Sequence, residues 1–447
     1  MRIRTRLAAF ISAVGVGIAL PLTGAAPAQA AAPKTACNTM YSAQITFWAM
    51  TCARPGEPMI GGFATWRNVP ITYDQVSTSA TVQTSNYLRL TPNTSSSEFG
   101  RNIEIGLYAE KTGKTTMTYG PRWTELGANG GRTKAITAGV NPTKQDKRNH
   151  TYMLVRKASG NQWDVLYDFN TVGSTTDQLK VVGGNTNRID VGLEVTGPQY
   201  TNVPDISSRM QFMDGNKSWH QVATKNVAKV LSLATCSSTK KPPYCFKSKL
   251  TDNTNFTQWT VSKPRKPAAA STTAARATTA PSSWASLRES DDVPTTFNGV
   301  DQNALSACLD QDPDSCLRTV PGLSECVRTI RVCNAVAVHA RPQAMTTRAA
   351  AGTGDSGDSP SAASLRERAA RSFAVDPRQI SLTQSSADGE HSLSTAAQAE
   401  TTWTVTSRQM TAGLGHEEHR RYRGFTAIYS AQTGQLLEAC WGGMCRS

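Results

Sequence analysis

Apolar and polar residues alternate along three segments in the first half of the chain. The apolar members are Ile103, Ile105 and Leu107, then Trp163, Val165, Tyr167 and Phe169, then Ile189, Val191, Leu193 and Val195. A period of two places successive side chains on opposite faces of a strand, so each segment predicts a half-buried strand. Gly160-Asn161, between an apolar run and the second segment, indicates a hairpin. We therefore predict a mainly β fold, a jelly-roll-like β-sandwich over residues 31–266.

The chain changes character after residue 266. Residues 267–297 and 341–360 are rich in Ala, Thr, Ser, Gly and Pro and have no periodicity, which predicts linkers. Residues 298–340 between them are rich in Cys and have helical spacing, so we predict a disulfide-stapled helical segment. Residues 361–447 combine one helical repeat with several alternating segments, which predicts a small α+β domain.

Particular residues mark the helices of this second half. Asp301 is a suitable N-cap for a helix that runs through Leu309. Leu365, Ala369 and Phe373 are spaced by four, which places them on one helical face. The strands of the terminal domain are predicted over the alternating segments 379–384, 401–410, 422–429 and 435–439.

Ten cysteines indicate an oxidising compartment and local disulfides. Three pairs are close in sequence: Cys37 with Cys52, Cys236 with Cys245, and Cys440 with Cys445. In the helical segment we expect nested pairing, Cys308 with Cys333 and Cys316 with Cys326, although two prolines in this segment leave the connectivity open. No Cys spacing of zinc-site type with His partners is present, so we predict no metal and no cofactor.

Residues 1–30 have the pattern of a secretory signal peptide. Arginines at positions 2, 4 and 6 precede the apolar run Leu7–Leu22, and Ala28-Gln29-Ala30 suits signal peptidase. We expect a secreted, extracellular protein with no membrane span after cleavage. The alanine-rich leader, the Ala/Thr-rich linkers and the use of Arg in place of Lys in the tail resemble secreted proteins of high-GC bacteria.

The net charge of +14 is unevenly distributed. Residues 31–266 carry +13 and residues 267–447 carry −2, while the leader supplies the remainder. A basic domain attracts polyanions, so a polyanionic or glycan surface is the expected partner of residues 31–266. No specific nucleic-acid module accompanies this charge. The sequence leaves the oligomeric state open.

Carboxylates recur on the polar sides of the predicted strands. Even spacing places Glu104 with Glu110, Asp164 with Asp168, and Asp190 with Glu194. Paired carboxylates across a cleft can hydrolyse a glycosidic bond as acid and base or nucleophile. The candidate catalytic residues are Glu104, Asp168 and Asp190. The candidate ligand-binding residues are Tyr108, Trp123, Glu110, Asp164 and Glu194.

These carboxylates have three interpretations: solvated residues of an outer face, a glycan-binding cleft without chemistry, or a hydrolase site. Laminarinase-type sandwiches have the signature Glu-x-Asp-x-x-Glu, and this chain has Gly106 where that signature has its central Asp. This difference counts against that class of hydrolase. We therefore favour a secreted non-enzymatic binding protein whose basic sandwich engages an anionic or glycan surface. A polysaccharide hydrolase is the alternative.

The terminal domain suggests another function. Its helix-plus-strand order, with Tyr429-Ser-Ala-Gln-Thr-Gly-Gln-Leu-Leu437, resembles the PepSY family over about 85 residues. That family has an α/β propeptide-like fold often found beside secreted peptidases. The resemblance therefore implies a third hypothesis, in which the tail inhibits or modulates a peptidase.

Overall fold

We describe the protein from a computed structural model. The described residues are 46–53, 59–73, 81–91, 101–112, 116–136, 145–146, 148–177, 179, 188–196, 201–221, 228–231, 245–250, 255–261, 296–297, 299–312, 315–325, 360–385, 401–414 and 421–446. The predicted signal peptide lies outside these residues, as do nearly all of both predicted linkers. Cys37, Cys236, Cys326 and Cys333 lie outside them as well.

The strands and helices are numbered here in chain order. The strands are β1 Thr46–Ala53, β2 Met59–Trp66, β3 Thr72–Tyr73, β4 Thr81–Thr91, β5 Asn102–Thr112, β6 Thr116–Gly127, β7 Gly130–Ala135, β8 His150–Arg156, β9 Trp163–Tyr167, β10 Asn170–Ser174, β11 Arg188–Thr196, β12 Thr201–Asn202, β13 Ile206–Asp214, β14 Trp219–Gln221, β15 Ala228–Leu231, β16 Cys245–Leu250, β17 Asn255–Val261, β18 Thr296–Phe297, β19 Val300–Asp301, β20 Ser381–Ser385, β21 Thr402–Ala412, β22 Arg421–Ser430 and β23 Leu436–Gly442. The α-helices are α1 Gln302–Gln311, α2 Cys316–Thr319 and α3 Ala362–Phe373, and short 3-10 helices span Pro377–Gln379 and Gly443–Arg446.

Two large antiparallel sheets form a β-sandwich. The larger sheet has the strand order β15-β1-β11-β4-β5-β6-β7-β23-β22-β21-β20, and the smaller has β10-β9-β8-β2-β13-β17-β16, with β14 paired to β13. The apolar sides of β5 and β11, including Ile105 and Val191, pack against apolar residues of the smaller sheet such as Leu154 and Val165. The mainly β prediction and the alternation that supported it are therefore confirmed.

The helical segment covers the outer face of the smaller sheet. Asp301 caps α1 as predicted, because its carboxylate accepts the Ala304 N–H at 2.9 Å. Apolar residues of the segment, among them Leu305 and Leu317, pack on Phe63 and Leu166 of β2 and β9. The second face of these strands is therefore buried as well, and the sandwich has a core on both sides of this sheet.

The nested disulfide pairing predicted for this segment is wrong. Cys308 is bonded to Cys316, with a Cα–Cα distance of 5.6 Å. Cys308 lies in the last turn of α1 and Cys316 begins α2, so the short connection brings the two cysteines together before the chain reaches the later pair. The predicted bond between Cys440 and Cys445 is confirmed, and Cys52 is also disulfide-bonded.

The terminal domain has the predicted helix followed by four strands, but it does not form a separate sheet. Strand β23 pairs antiparallel with β7, from Glu438 opposite Lys134 to Gly442 opposite Gly130. Helix α3 packs against β21–β23 in a third core, which Leu126 of β6 joins from the sandwich. No helix in the described part of the chain is long and apolar enough to cross a membrane.

Candidate functional site

A row of charged side chains crosses the outer face of the larger sheet. Glu104 on β5 lies opposite Arg89 on β4, and Arg89 lies opposite Asp190 on β11. Glu104 and Asp190, both candidate catalytic residues, are therefore not on neighbouring strands, since β4 separates them and inserts an arginine. All three side chains are buried, although they face away from the sandwich core.

Arg89 holds two carboxylates at once. Its Nε donates to Glu104 Oε1 at 2.7 Å, and one of its terminal nitrogens donates to Glu194 Oε2 at 3.2 Å. The hydroxyl of Tyr87 also donates to Glu194 Oε2. Charge-assisted hydrogen bonds of this kind stabilise the ionised carboxylate. Glu104 and Glu194 are therefore held in a fixed geometry by Arg89 and Tyr87.

Tyr108 adds a hydroxyl to the same cluster. Its Oη–H donates to Glu104 Oε2 at 3.1 Å. Burial, together with the negative charge of Glu104, raises the pKa of Tyr108 well above its ordinary value, so the phenol keeps its proton. The close approach of β4 and β5 here depends on Gly106, because a Cβ at that position would lie 2.2 Å from the backbone oxygen of Asn86.

Asp190 is paired within its own strand. The Arg188 guanidinium donates from Nε to Asp190 Oδ1 at 2.7 Å, and both side chains are almost fully buried. The other carboxylate oxygen, Oδ2, is buried and has no hydrogen-bond partner among the described residues. Asp190 is fully buried and is not part of the pocket wall described below, so this oxygen is unpartnered inside the protein.

A pocket opens at the β5–β6 end of this face. It comprises about 530 Å³, including the solvent at its mouth, and its wall contains Gln83, Glu104, Tyr108, Glu110, Arg122, Thr124, Thr133, Glu194 and Leu414. Glu110 accepts a hydrogen bond from Gln83 Nε2 at 2.9 Å. Leu414 follows β21 and belongs to the terminal domain, so the pocket wall is built by both modules.

The predicted site residues separate into two groups. Glu104, Asp190, Tyr108, Glu110 and Glu194 come together on the outer face of the larger sheet. The remaining three lie elsewhere: Asp164 and Asp168 belong to the smaller sheet and its turn, and Trp123 faces the sandwich core.

Asp164 and Asp168 have local partners. Asp164 accepts a hydrogen bond from Ser174 at 2.5 Å and lies 3.5 Å from Lys157 Nζ. Asp168 occupies the turn after β9 with a φ of 48°, and the turn reverses the alternation, so Phe169 packs against the helical segment rather than beside Trp163. Asp168 accepts from Arg148 and lies 2.8 Å from His150 Nδ1, so both aspartates have partners within the smaller sheet and its turns and lie away from the pocket.

Trp123 is buried in the sandwich core, with the Arg132 guanidinium 5.1 Å from its ring. It does not reach the pocket, because it follows the odd-numbered side of β6 while Arg122 and Thr124 follow the other. Sequence reasoning also missed Arg89 and Arg122. Each lies on the polar face at an even spacing from a pocket residue of its own strand, Arg89 four from Ser85 and Arg122 two from Thr124, and this period was the available signal.

Comparisons with known proteins add only weak similarity of fold. No known family and no curated protein matches the chain. Among solved structures, scytalidoglutamic peptidase bound to a peptide-based transition state analogue shares 9% identity and a TM-score of 0.32, covering 48% of this chain and 98% of its own. SCP-B, of the eqolisin family of peptidases, has 8% identity and a TM-score of 0.30, covering 49% and 100% respectively.

The CBM40 of a Ruminococcus gnavus sialidase has 11% identity and a TM-score of 0.15, covering 31% of this chain and 77% of that one. These values fall far below those at which similarity supports a functional argument. The PepSY-like resemblance of the terminal domain stays a prediction. Function has to be argued from the site.

Proposed function

We propose that this protein binds a glycan in the pocket on the outer face of the larger sheet and does not cleave it. One observation supports this proposal: the acidic residues in the pocket wall already have Arg, Tyr or Gln partners. Glu104 and Glu194 share Arg89, and Glu110 holds Gln83. A general acid must carry a proton, whereas an arginine beside a carboxylate keeps it ionised.

The same groups are suited to a hydroxyl-rich ligand. Carboxylate oxygens and the phenol oxygen of Tyr108 accept hydrogen bonds from sugar hydroxyls, while Arg122 offers donors on the same wall. Because the side chains are fixed by one another, little conformational freedom is lost when a ligand binds.

The test is retention of the purified protein on cellulose, chitin and peptidoglycan, together with two pocket variants. Glu104→Gln and Tyr108→Phe remove a charge and a hydroxyl from the wall, and each lost hydrogen bond should weaken binding about tenfold. Glu367→Gln, on the exposed face of α3, is the matched control for charge removal. Equal retention of all four proteins, or no retention on any polymer, would refute a glycan-binding pocket.

A hydrolase is the second candidate, and Asp190 is the observation that favours it. Its unpartnered Oδ2 lies in the same cross-strand row as Glu104. Two neighbouring carboxylates catalyse the hydrolysis of glycosidic bonds in some enzymes and of peptide bonds in others. Release of sugars or peptides at acidic pH, abolished by Asp190→Asn, would establish this alternative and overturn the non-enzymatic proposal.

A further inference from the structure

One guanidinium in the pocket wall lacks a counter-ion in contact with it. In the described part of the chain the guanidinium of Arg122 makes no hydrogen bond and no salt bridge, and its carbon lies 5.5 Å from the centre of the Tyr108 ring. Most arginines near this face have partners: Arg89 holds Glu104, and Arg188 holds Asp190. Arg122 is therefore unusual for its position.

A second cation comes from the terminal domain. Arg368 on α3 is 4% exposed, its terminal nitrogen donates to the backbone oxygen of Gly434, and its guanidinium lies over Tyr429. Its Nε is buried with no hydrogen-bond partner and lies 3.8 Å from Glu110 Oε1, beyond hydrogen-bonding distance. This Nε is directed toward the carboxylate that lines the pocket.

The positive charge is concentrated around Glu110, because the other two glutamates of the pocket wall, Glu104 and Glu194, share Arg89. Arg122 and Arg368 both act electrostatically on the surroundings of Glu110, so two cations face one anion. Burial lowers the pKa of Arg122, Arg368 lowers it further, and Glu110 opposes the change. Because arginine keeps its proton in proteins, such a lowering means that the desolvation of its charge is incompletely compensated. An anion beside Arg122 would compensate it.

We infer that Arg122 anchors an anionic group of the ligand, a carboxylate or a sulfate, and that Arg368 of the terminal domain is the second cation of this subsite. The inference rests on the proposed function and makes it more specific, since it assigns an acidic glycan to the pocket. Arg122 contributes a planar pair of donors that matches a carboxylate or a sulfate. Arg368, whose Nε lies 3.8 Å from Glu110 Oε1, adds to the positive electrostatic potential beside Arg122.

Calorimetric titration of the full-length secreted chain with two sugar probes tests the inference. Oligogalacturonate carries a carboxylate on each ring, whereas cello-oligosaccharide has similar hydroxyls and no charge. We expect tighter binding of the acidic probe, and we expect Arg122→Gln to weaken it about tenfold or more while the affinity for the neutral probe is preserved. Arg371→Gln, on the exposed side of the same helix as Arg368, should change neither affinity.

Arg368 needs a variant that separates charge from packing. Arg368→Gln removes the charge together with the Tyr429 contact, while Arg368→Lys keeps the charge alone, so Lys should recover most of the selectivity for the acidic probe. Thermal unfolding of both variants shows whether the terminal domain stays folded. Loss of affinity for both probes in Arg368→Lys, or equal losses for both probes in Arg122→Gln, would overturn the anionic subsite. The proposal that the wild-type pocket binds a glycan would still stand.

Absence of binding by either sugar would refute the proposed function, and inorganic sulfate then tests the subsite by itself. If sulfate raises the melting temperature of the wild-type protein and not of Arg122→Gln, the anion site stands without a glycan. If sulfate acts equally on both proteins, the anionic subsite is refuted too.

Discussion

His150 should make the stability of this protein depend on alkaline pH. On the smaller sheet, its Nδ1 lies 2.8 Å from Asp168 Oδ2 and its Nε2 lies 3.0 Å from Asp146 Oδ2. Burial opposes protonation of the ring, but the charge of Asp168 and the hydrogen bonds to both aspartates outweigh it and raise the pKa of His150 to about 9. Nearby Arg148 opposes the increase.

The magnitude follows from linkage. A folded-state pKa of about 9 against an unfolded value near 6.5 corresponds to about 3 kcal/mol of stabilisation. Because the folded pKa is the higher one, this contribution is complete below pH 6.5 and is lost as the pH rises to 9. Asp168 has a lowered pKa: burial acts to raise it, but His150 and Arg148 outweigh that effect. Its own contribution is therefore lost only in acid.

Urea unfolding followed by tryptophan fluorescence at pH 6.5 and 9.5 measures this contribution. The wild-type free energy of unfolding should fall by about 3 kcal/mol more than that of His150→Gln, since glutamine keeps a hydrogen-bond donor and cannot be charged. With six histidines in the chain, NMR titration of the ring protons gives a direct check. Identical pH dependence in the two proteins, or a His150 that titrates near 6.5, would refute the argument.

Three further substitutions test the packing of separate regions. Gly106→Ala should destabilise the protein by about 1–3 kcal/mol and weaken ligand binding, because the new Cβ would lie 2.2 Å from a backbone oxygen of β4; chemical denaturation and titration measure both effects. Replacing Cys308 and Cys316 with Ser should cost about 2–3 kcal/mol in thermal unfolding, since the disulfide closes a short loop. Phe373→Ala should cost about 3–5 kcal/mol, because this fully buried ring stacks on Phe425 at 3.9 Å, and calorimetry should show the loss.

Each of these three has an outcome that contradicts it. Unchanged stability of Gly106→Ala would mean that β4 and β5 separate easily beneath the pocket. Equal melting temperatures with and without the Cys308–Cys316 bond would mean that the bond does not constrain the unfolded chain. If Phe373→Ala had the melting temperature and unfolding enthalpy of the wild-type protein, the packing of α3 would contribute little to stability.

The strands were predictable because one face of each is apolar. Ile105 and Val191 lie in the sandwich core whichever residues of the opposite sheet pack on them. The two-residue period of apolar side chains is therefore sufficient to identify their strands. The cap at Asp301 was predictable for a similar reason, since its bond to Ala304 lies within three residues. Local chemistry therefore accounts for most of the secondary structure.

The environment of the polar faces was not predictable in the same way. Asp164 sits on the polar side of β9, yet helices more than a hundred residues later in the chain cover that side. Nothing in the sequence around Asp164 indicates this cover, and the same holds for Glu110, whose neighbour Arg368 comes from α3. The pattern of charged residues predicts that these faces are exposed to solvent. In the fold they are buried, because segments distant in sequence pack on them.

The pairing of β7 with β23 changes how the unevenly charged halves of the chain are understood. The basic and the slightly acidic parts suggest separate modules, but a backbone ladder joins them, and Trp441 packs so closely on Gly131 that a Cβ there would lie 2.4 Å from its ring. A chain that ended at residue 266 would leave the edge of β7 unpaired, which favours aggregation. It would also lack Leu414 and Arg368 beside the pocket, so the proposed ligand site belongs to the two modules together.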